Sequence, residues 1–483
     1  MSKTTDKPEM ILALIDNLRE EEKIPITQMT YGLCDSSQYA KVLRAKNRRF
    51  DKLMIDAFYQ RLGKNLRNFE CLLDADEYML FEKREEFRDA FFKNDMERAK
   101  AAAERWAALG ICRRSRVHQQ MALLFHVYLL MKEDKDSAVI PEKAREALEL
   151  TIPEFKLEEL DKYLYSEVEL ILLDIILKEE EKIKGVEKVY AFYEKVYRLF
   201  REDRYLDNEQ IFRFAPMIYR LVRIKLDRLE FEAAGAVCDR MIGGLIQDNK
   251  ILYLAEFLEC KGRAKAAMAK MAPDEVRETV EAQAIKDALK KYYPEWSPEK
   301  QIQIYWEFMI LPTGEIVKQR RKNLGLSQED LALDENEEIC SVDTISRLEN
   351  GTHKTSLAVE KQILSKLRMA PERFHREFIT DDYSDVRKLK RIAEAQVVGD
   401  HRETEKRLVV LEEAHNRTLY PSNEQYIMQS RACLNMEKTR DFDAAIKDLK
   451  KVMEMSLKNI PGDNDEIGCY LFNTEFFAVD AIN

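Results

Sequence analysis

The side chains best suited to chemistry in this 483-residue chain are cations that can bind phosphate. Nine Lys and Arg residues lie between Ile24 and Arg67, where only three aspartates oppose them. Lys and Arg neutralise the phosphates of nucleic acid and release its counterions, so this segment is a candidate phosphate-binding edge. The whole chain has a net charge of −10, which disfavours non-specific attraction to nucleic acid elsewhere.

A second set of side chains, between Gly314 and Gly351, is suited to contacting bases. Arg347 can donate two hydrogen bonds to guanine, and Val342 can contact a thymine methyl group. Asp343 can accept from cytosine, although phosphates would repel it, and it can equally serve only as a helix cap. The cations of this segment are nearly balanced by its acids, which are Asp334, Glu335, Glu337, Glu338 and Asp343. We therefore expect the upstream segment to carry most of the phosphate attraction.

Three predicted helices position this second set. The first is amphipathic and ends in a run of cations. Residues 327–330, SQED, form a capping box that opens the second. Ser341 or Asp343 can cap the third, whose inner face carries Ile345 and Leu348 three positions apart. A short helix with a polar outer face, held across another helix, fits the DNA major groove.

This segment resembles the lambda-repressor and Cro family of helix-turn-helix regulators, whose signature is SQ-x-x-LA followed by TIS-x-(I/L)-ENG. The sequence has SQEDLA at 327–332 and TISRLENG at 344–351. The resemblance implies that Arg321 and Glu349 form an ion pair between helices. It also implies that base edges are contacted by Val342, Asp343 and Arg347. It assigns contacts with the phosphate backbone to Gln328, Ser341, Thr344, Asn350 and Lys354.

A divergent copy of this motif lies upstream. Residues 26–28 and 33–44 align with 326–328 and 339–350. By the same resemblance, Gln28 would contact phosphate, and Leu43 replaces the glutamate of the ion pair. Bases would be contacted by Ser36, Ser37 and Lys41. The backbone would be contacted by Gln38 and Arg44, with a basic edge extended by Lys46, Arg48 and Arg49.

The likeness between the two halves continues past these motifs. Residues 66–69, 94–95 and 163–165 match 371–374, 399–400 and 470–472, at an offset that stays near 306. We interpret the chain as a tandem duplication whose second copy stops about halfway, although similar composition alone is the alternative. The end of copy two aligns with 165–176 of copy one, and we expect it to dock on another surface because a helical array normally needs a polar cap.

The composition predicts a mostly helical protein. Only 14 Gly and 12 Pro occur, with 45% hydrophobic and 35% charged residues. An acid, an apolar residue, two variable positions and Ala recur at 95–99, 230–234 and 441–445, as in tetratricopeptide-like helix pairs. The expected fold is all-α, with two helix-turn-helix domains (1–68 and 312–372) interleaved with α-solenoid helix pairs (69–311 and a truncated set, 373–483). An irregular helical bundle is the alternative.

A helix-turn-helix followed by such repeats resembles the peptide-pheromone-responsive transcriptional regulators of Gram-positive bacteria. The resemblance implies a homodimer that binds double-stranded DNA, with a short peptide as ligand in the concave face of the repeats. No pocket residue can be named from the sequence. The other hypothesis is a helical scaffold protein with degenerate helix-turn-helix domains. An acidic insertion around 334–337 and a shortened turn at 31–34 favour it, because the turn sets the angle of the third helix.

Several other classes of function find no support in the sequence. There is no apolar run long enough to span a bilayer and no apolar signal core, which predicts a soluble cytoplasmic protein without a membrane partner. The eight Cys are scattered and the six His lack metal-ligand spacing, so no metal is expected. No nucleotide-binding loop or catalytic constellation is visible. We expect no cofactor and no enzymatic activity.

Overall fold

The computed structural model describes residues 9–44, 49–133, 139–201, 210–293, 297, 302–307, 309–334, 337–418, 420–458, 471 and 475–478. These residues are predominantly helical, which confirms the expected helical class. Two small sheets are the exception that composition did not predict.

The N-terminal part forms a trihelical unit, then a fourth helix and a strand. Gly32 has a positive φ of 68°, and a Cβ there would lie 2.2 Å from the carbonyl oxygen of Thr151. Only glycine therefore permits this turn to approach the array that follows. The N-terminal trihelical unit comprises α1 (Met10–Glu21), α2 (Ile26–Met29) and α3 (Ser36–Arg44), followed by α4 (Lys52–Arg61) and β1 (Glu70–Leu73).

Ten helices then form the first array, in which consecutive helices pack on one another. Asp95 caps the second of them by accepting from the backbone N–H of Arg98, as its place before an apolar residue suggests. Ala99 and Ala234 are fully buried, which lets paired helices approach closely. The array comprises α5 (Ala75–Phe92), α6 (Met96–Ala108), α7 (Arg116–Glu133), α8 (Val139–Glu149), α9 (Glu167–Lys184), α10 (Val186–Arg201), α11 (Ile211–Asp227), α12 (Phe231–Gln247), α13 (Leu254–Ala269) and α14 (Arg277–Tyr292).

The second half repeats this order in a shorter form. A strand leads into the central trihelical unit, and a second array follows in which consecutive helices again pack together. The elements before that array are β2 (Ile310–Pro312), α15 (Thr313–Asn323), α16 (Gln328–Ala332), β3 (Leu333–Asp334), β4 (Glu337–Glu338), α17 (Val342–Glu349), α18 (Leu357–Lys366) and β5 (Phe374–His375). We call α15–α17 the central trihelical unit. The second array comprises α19 (Tyr383–Val397), α20 (His401–Thr418), α21 (Pro421–Thr439) and α22 (Phe442–Glu454).

The two arrays share internal hydrogen bonds at equivalent positions. In the first array, Gln120 Nε2 donates to the carbonyl oxygen of Ala147 at 3.0 Å and to Thr151 Oγ1 at 2.6 Å. In the second array, Gln425 Nε2 donates to the carbonyl oxygen of Val452 at 2.9 Å and to Ser456 Oγ at 2.8 Å. Each residue lies 305 positions after its counterpart. A duplicated array would leave this pattern.

A three-stranded sheet joins the two halves, in the order β2-β1-β5. Strand β1 is central and pairs in parallel with β2 and antiparallel with β5. Glu70 pairs with His375, the residue at the equivalent position of copy two, 305 positions later. Because equivalent residues pair in an antiparallel way, a local two-fold axis relates the two halves at this point. Leu72 of β1 belongs to the core of the central unit, together with Ile345 and Leu348. A residue of copy one therefore forms part of a core of copy two.

The end of copy two docks within its own half. Glu475, in the described segment 475–478, is buried and forms an ion pair with Arg320 of α15 at 2.9 Å. The surface that residues 475–478 contact therefore includes α15 of the same copy. Residues 472–474 and 479–483 lie outside the described residues. In the part of the chain that is described, every helix is too short or too polar to cross a bilayer.

Candidate nucleic-acid interface

Helix α17 begins where the sequence predicts the third helix of the motif. Of the two candidate caps, Ser341 is the one used: its side chain accepts from the backbone N–H of Thr344 at 3.2 Å, and the two hydroxyls lie 2.9 Å apart. Ile345 and Leu348 face the core. The opposite face is therefore turned to solvent, as a groove-binding helix requires.

The predicted base-contacting residues lie on this exposed face. Val342, Asp343 and Arg347 are all exposed. Asp343 and Arg347 form an ion pair across one turn at 3.0 Å, with both side chains more than half exposed. Such a pair contributes only about 0.3–0.5 kcal/mol. Arg347 can therefore leave Asp343 for a base edge at little cost.

The ion pair predicted between Arg321 and Glu349 is present. Arg321 Nε lies 2.5 Å and Nη2 lies 2.9 Å from the two carboxylate oxygens of Glu349, and both side chains are largely shielded from solvent. Burial opposes ionisation of Glu349, but hydrogen bonds from Arg321 and Gln328 outweigh it and lower its pKa. The predicted capping box of Ser327 and Asp330 is also formed. The predicted ion pair and the predicted capping box are thus both present in the structure.

The acidic insertion forms a small hairpin instead of a simple turn. Strands β3 and β4 pair Leu333 with Glu338 and Asp334 with Glu337, and all four residues are exposed. Glu335, predicted as part of the insertion, lies outside the described residues. The hairpin sets acidic side chains directly before α17, where they would repel phosphates.

Two residues that were predicted to contact phosphate instead form polar contacts within the chain. Gln328 Nε2 donates to Glu349 Oε2 at 2.9 Å. Lys354 Nζ lies 2.5 Å from a carboxylate oxygen of Asp74, in copy one. Asn350 is exposed at the end of α17. A role for Gln328 or Lys354 with phosphate would require these contacts to open.

The N-terminal unit presents its predicted contacts in a similar way. Helix α3 buries Tyr39 and Val42. Its opposite face exposes Lys41 and Arg44. Of the remaining predicted contacts on α3, Ser36 is half-buried, and the exposed ones are Ser37 and Gln38. Lys41 and Arg44 are therefore the cations that α3 turns to solvent.

Gln28 instead faces the first array. Its Nε2 donates to the carbonyl oxygen of Lys162 at 3.3 Å, and neighbouring Tyr31 donates through its hydroxyl to the carbonyl oxygen of Pro153 at 2.9 Å. Tyr31 also stacks on Tyr163, with ring centroids 6.1 Å apart. Gln28 can contact phosphate only if its hydrogen bond to Lys162 opens. Helix α2 is therefore an element that joins the unit to the array.

The expectation that Arg49 extends the basic edge is wrong. Arg49 is largely shielded from solvent between Asp74, at 2.8 Å, and Glu360 of α18, at 3.0 Å. Paired with two carboxylates, its charge is not available to phosphates. Lys46 and Arg48, the other members of that edge, lie outside the described residues.

Other cations of the upstream run are also held in contacts within the fold. Lys52 pairs with Asp56 and Glu307, Arg61 with Glu169, and Lys64 lies over an aromatic ring. Their partners are distant in sequence, with the exception of Asp56. Counting charges along the chain therefore overestimated the basic surface. Among the described cations of that run, Lys41 and Arg44 are the exposed pair.

Each trihelical unit borders a cavity at its junction with the following array. One cavity, of about 470 Å³, is lined by Gln28, Tyr31 and Arg61 together with residues of the first array. The other, of about 450 Å³, is lined by Arg320 and Glu475 together with residues of the second. Both are large enough for a small ligand. No sequence motif indicated them, because their walls come from distant segments.

The described residues contain no group of three or more His, Cys, Asp or Glu side chains placed to hold a metal ion. No protein-family model, curated protein or solved structure matches the chain. The resemblance to lambda-repressor and Cro regulators therefore rests on the residues quoted above. The geometry around those residues carries the functional argument.

Breaking the Arg321–Glu349 pair tests how the central unit is held. Glu349→Ala leaves the Arg321 guanidinium without its carboxylate, and we expect a local loss of roughly 1.5–3 kcal/mol. Arg347→Ala, which breaks the exposed pair on the same helix, should cost about 0.5 kcal/mol or less. Hydrogen exchange of the α15 and α17 amides measures both locally. Equal protection in the two variants would contradict this role.

Proposed function

We propose that the chain is a sequence-specific DNA-binding transcriptional regulator whose helical arrays sense a peptide or small ligand. The observation that carries this proposal is the geometry of α17. Its outer face presents Val342, Asp343 and Arg347, while its inner face is fixed by the core and by the Arg321–Glu349 pair. A short helix fixed on one side and exposed on the other suits insertion into the major groove.

The proposed partner is double-stranded DNA, contacted by both trihelical units. Lys41 and Arg44 on α3 would supply phosphate attraction, and Arg347 on α17 would supply base recognition. Because one chain carries two such units, one chain or a homodimer can meet a two-part operator. The mass of the complex on a selected operator distinguishes these assemblies.

The junction cavities support the ligand-sensing part of the proposal. Gln28 and Tyr31 belong to the N-terminal unit, yet they line a cavity shared with the array. A ligand bound there would touch both elements. It could shift the unit only by binding one arrangement more tightly than the other.

Selection of bound sequences from random DNA, at fixed salt, tests the proposal directly. An operator recovered this way then allows the two units to be compared. Lys41→Ala with Arg44→Ala should weaken binding more than Arg347→Ala and lower the salt slope by about one unit for each lost phosphate contact. Arg347→Ala should instead relax sequence preference, at a cost of about 1–3 kcal/mol. Equal losses from both variants, with equal salt slopes, would contradict this division of roles.

A second candidate function is a helical interaction scaffold with degenerate helix-turn-helix units. The contacts of Gln28 with the first array and of Lys354 with Asp74 favour it, because both residues are held within the chain. The acidic hairpin before α17 favours it as well. Failure to enrich any DNA sequence, with the protein folded, would support this alternative.

A further inference from the structure

Residues 302–307, IQIYWE, form a non-helical segment between α14 and β2. We call it the inner segment. Its polar contacts are with α4 and with the first helices of three pairs in the array, namely α5, α7 and α11. Because these helices are the first of their pairs, the contacts place the segment along one face of the array. Helical repeat arrays offer a surface of this kind to ligands.

The array binds the backbone of the inner segment. The hydroxyl of Tyr128, on α7, donates to the carbonyl oxygen of Gln303 at 2.7 Å. Arg213, on α11, donates to Gln303 Oε1 at 3.1 Å and to the carbonyl oxygen of Ile304 at 3.3 Å. Glu167 of α9 holds the Arg213 guanidinium at 3.0 Å. The donors to the carbonyl oxygens of Gln303 and Ile304 can bind an extended peptide whatever its side chains are, whereas the contact to Gln303 Oε1 depends on the side chain.

Two side chains of the inner segment are then bound specifically. Tyr305 is buried, and its hydroxyl donates to Asp56 Oδ2 at 2.8 Å. Glu307 is also buried and forms ion pairs with Lys52 of α4 and Arg84 of α5. Burial opposes ionisation of Glu307, but the charges of Arg84 and Lys52 outweigh it and lower its pKa to about 2.

A segment that only connects two elements does not require a buried tyrosine hydrogen bond or buried ion pairs. Connections between elements normally run over the surface. Burying a charge carries a desolvation penalty of several kcal/mol that only close partners offset. Here two cations and a carboxylate are arranged around a tyrosine and a glutamate two positions apart. This is the chemistry of a binding groove and not of a spacer.

We propose that the inner segment is a tethered peptide ligand, which fills a peptide-binding groove formed by α4, α5, α7 and α11. The groove takes an extended peptide with tyrosine followed two positions later by an acidic residue. A free peptide of that chemistry competes with the tethered copy, which has the advantage of high local concentration. This proposal deepens the proposed peptide-sensing function and identifies the segment that controls access to the groove.

Displacement of the inner segment has a direct route to the central trihelical unit. Ile310 of β2 lies three residues after Glu307 and pairs with Cys71 of β1. Pro312 of the same strand is followed at once by α15. Only a short stretch of chain separates the buried Glu307 from α15, the helix that carries Arg321. Release of Glu307 would therefore remove a nearby constraint on the start of α15.

The test uses the full chain and a labelled synthetic peptide, acetyl-IQIYWE-amide. Tyr305→Ala with Glu307→Ala removes both anchors of the tethered copy, and we expect this variant to bind the peptide at least roughly tenfold more tightly than the unchanged chain does. Trp306→Ala is the matched control, because that side chain is 42% exposed and stacks on Arg88. The control should exclude the peptide as the unchanged chain does. A peptide carrying Ala at both anchor positions should not compete.

Arg213→Ala in the anchor-free background should abolish peptide binding, which locates the peptide in the groove. Fluorescence anisotropy measures binding, and circular dichroism shows whether each variant is folded. Equal binding to the unchanged and the anchor-free chains, or binding to neither, would overturn the proposal. If the anchor-free variant does not fold, Glu307→Gln takes its place, and we expect this variant to bind the peptide. If Glu307→Gln excluded the peptide as completely as the unchanged chain does, the proposal would also be overturned. The assay contains no DNA, so its result does not depend on whether the protein binds DNA.

Discussion

Replacing Arg373 with Ala is expected to destabilise the contact between the two halves by roughly 3–5 kcal/mol. Arg373 is 1% exposed and donates to Glu77 at 2.9 and 3.2 Å and to the carbonyl oxygen of Phe50 at 2.9 Å. Its Nε also lies 3.4 Å from a carboxylate oxygen of Glu9. All three partners belong to copy one. Removing the guanidinium leaves two buried carboxylates without this cation, and that penalty dominates the loss.

Arg387→Ala is the matched control, because Arg387 also joins the two copies. It pairs with Glu21 at 2.7 Å, but both side chains are partly exposed, so the loss should stay below about 1 kcal/mol. Urea unfolding and hydrogen exchange of the β1 and β5 amides measure the two variants side by side. Similar shifts in both would show that the buried pair does not hold the halves together.

Features set by nearby residues were predictable from the sequence. The capping box of Ser327 and Asp330 and the N-cap of Ser341 follow from side chains that reach backbone groups three residues away. The Arg321–Glu349 pair spans only 28 positions, and the resemblance to lambda-repressor and Cro regulators implies it. Local geometry leaves such contacts few alternatives.

Contacts between distant segments were not predictable. Asp74 receives Arg49 from copy one and Lys354 from copy two, and neither pairing has a signature in the sequence. Strands β1 and β5 are too short to show an alternating pattern. Their pairing depends on how the two halves meet, so the sheet appears only once the chain is folded.

The inner segment shows the same limit at the proposed peptide-binding groove. The structure buries Tyr305 against Asp56 of α4, while Trp306 is partly exposed. The groove is built from four helices that are far apart in the sequence. No pattern within any one of them marks it.

Arg61→Ala is expected to loosen the N-terminal trihelical unit from the first array, with a loss of roughly 3–5 kcal/mol. Arg61 is fully buried and donates to the carbonyl oxygens of Met29 at 3.1 Å and Tyr31 at 2.6 Å. It also donates to the carbonyl oxygen of Thr151 at 2.9 Å and pairs with Glu169 at 2.5 Å. One guanidinium thus satisfies acceptors on both sides of the junction. Its removal leaves Glu169 buried without this partner.

The second copy provides the comparison for this prediction. Glu475 lies 306 positions after Glu169 and is also buried against a guanidinium, but that group is Arg320 of α15. Arg61→Ala should therefore raise hydrogen exchange in α2 and leave α15 protected, whereas Arg320→Ala should do the reverse. If either variant loosened both units equally, the two junctions would form one cooperative unit. Separate responses would mean that each trihelical unit is held to its own array by one buried pair, which gives a ligand in either cavity a distinct unit to act on.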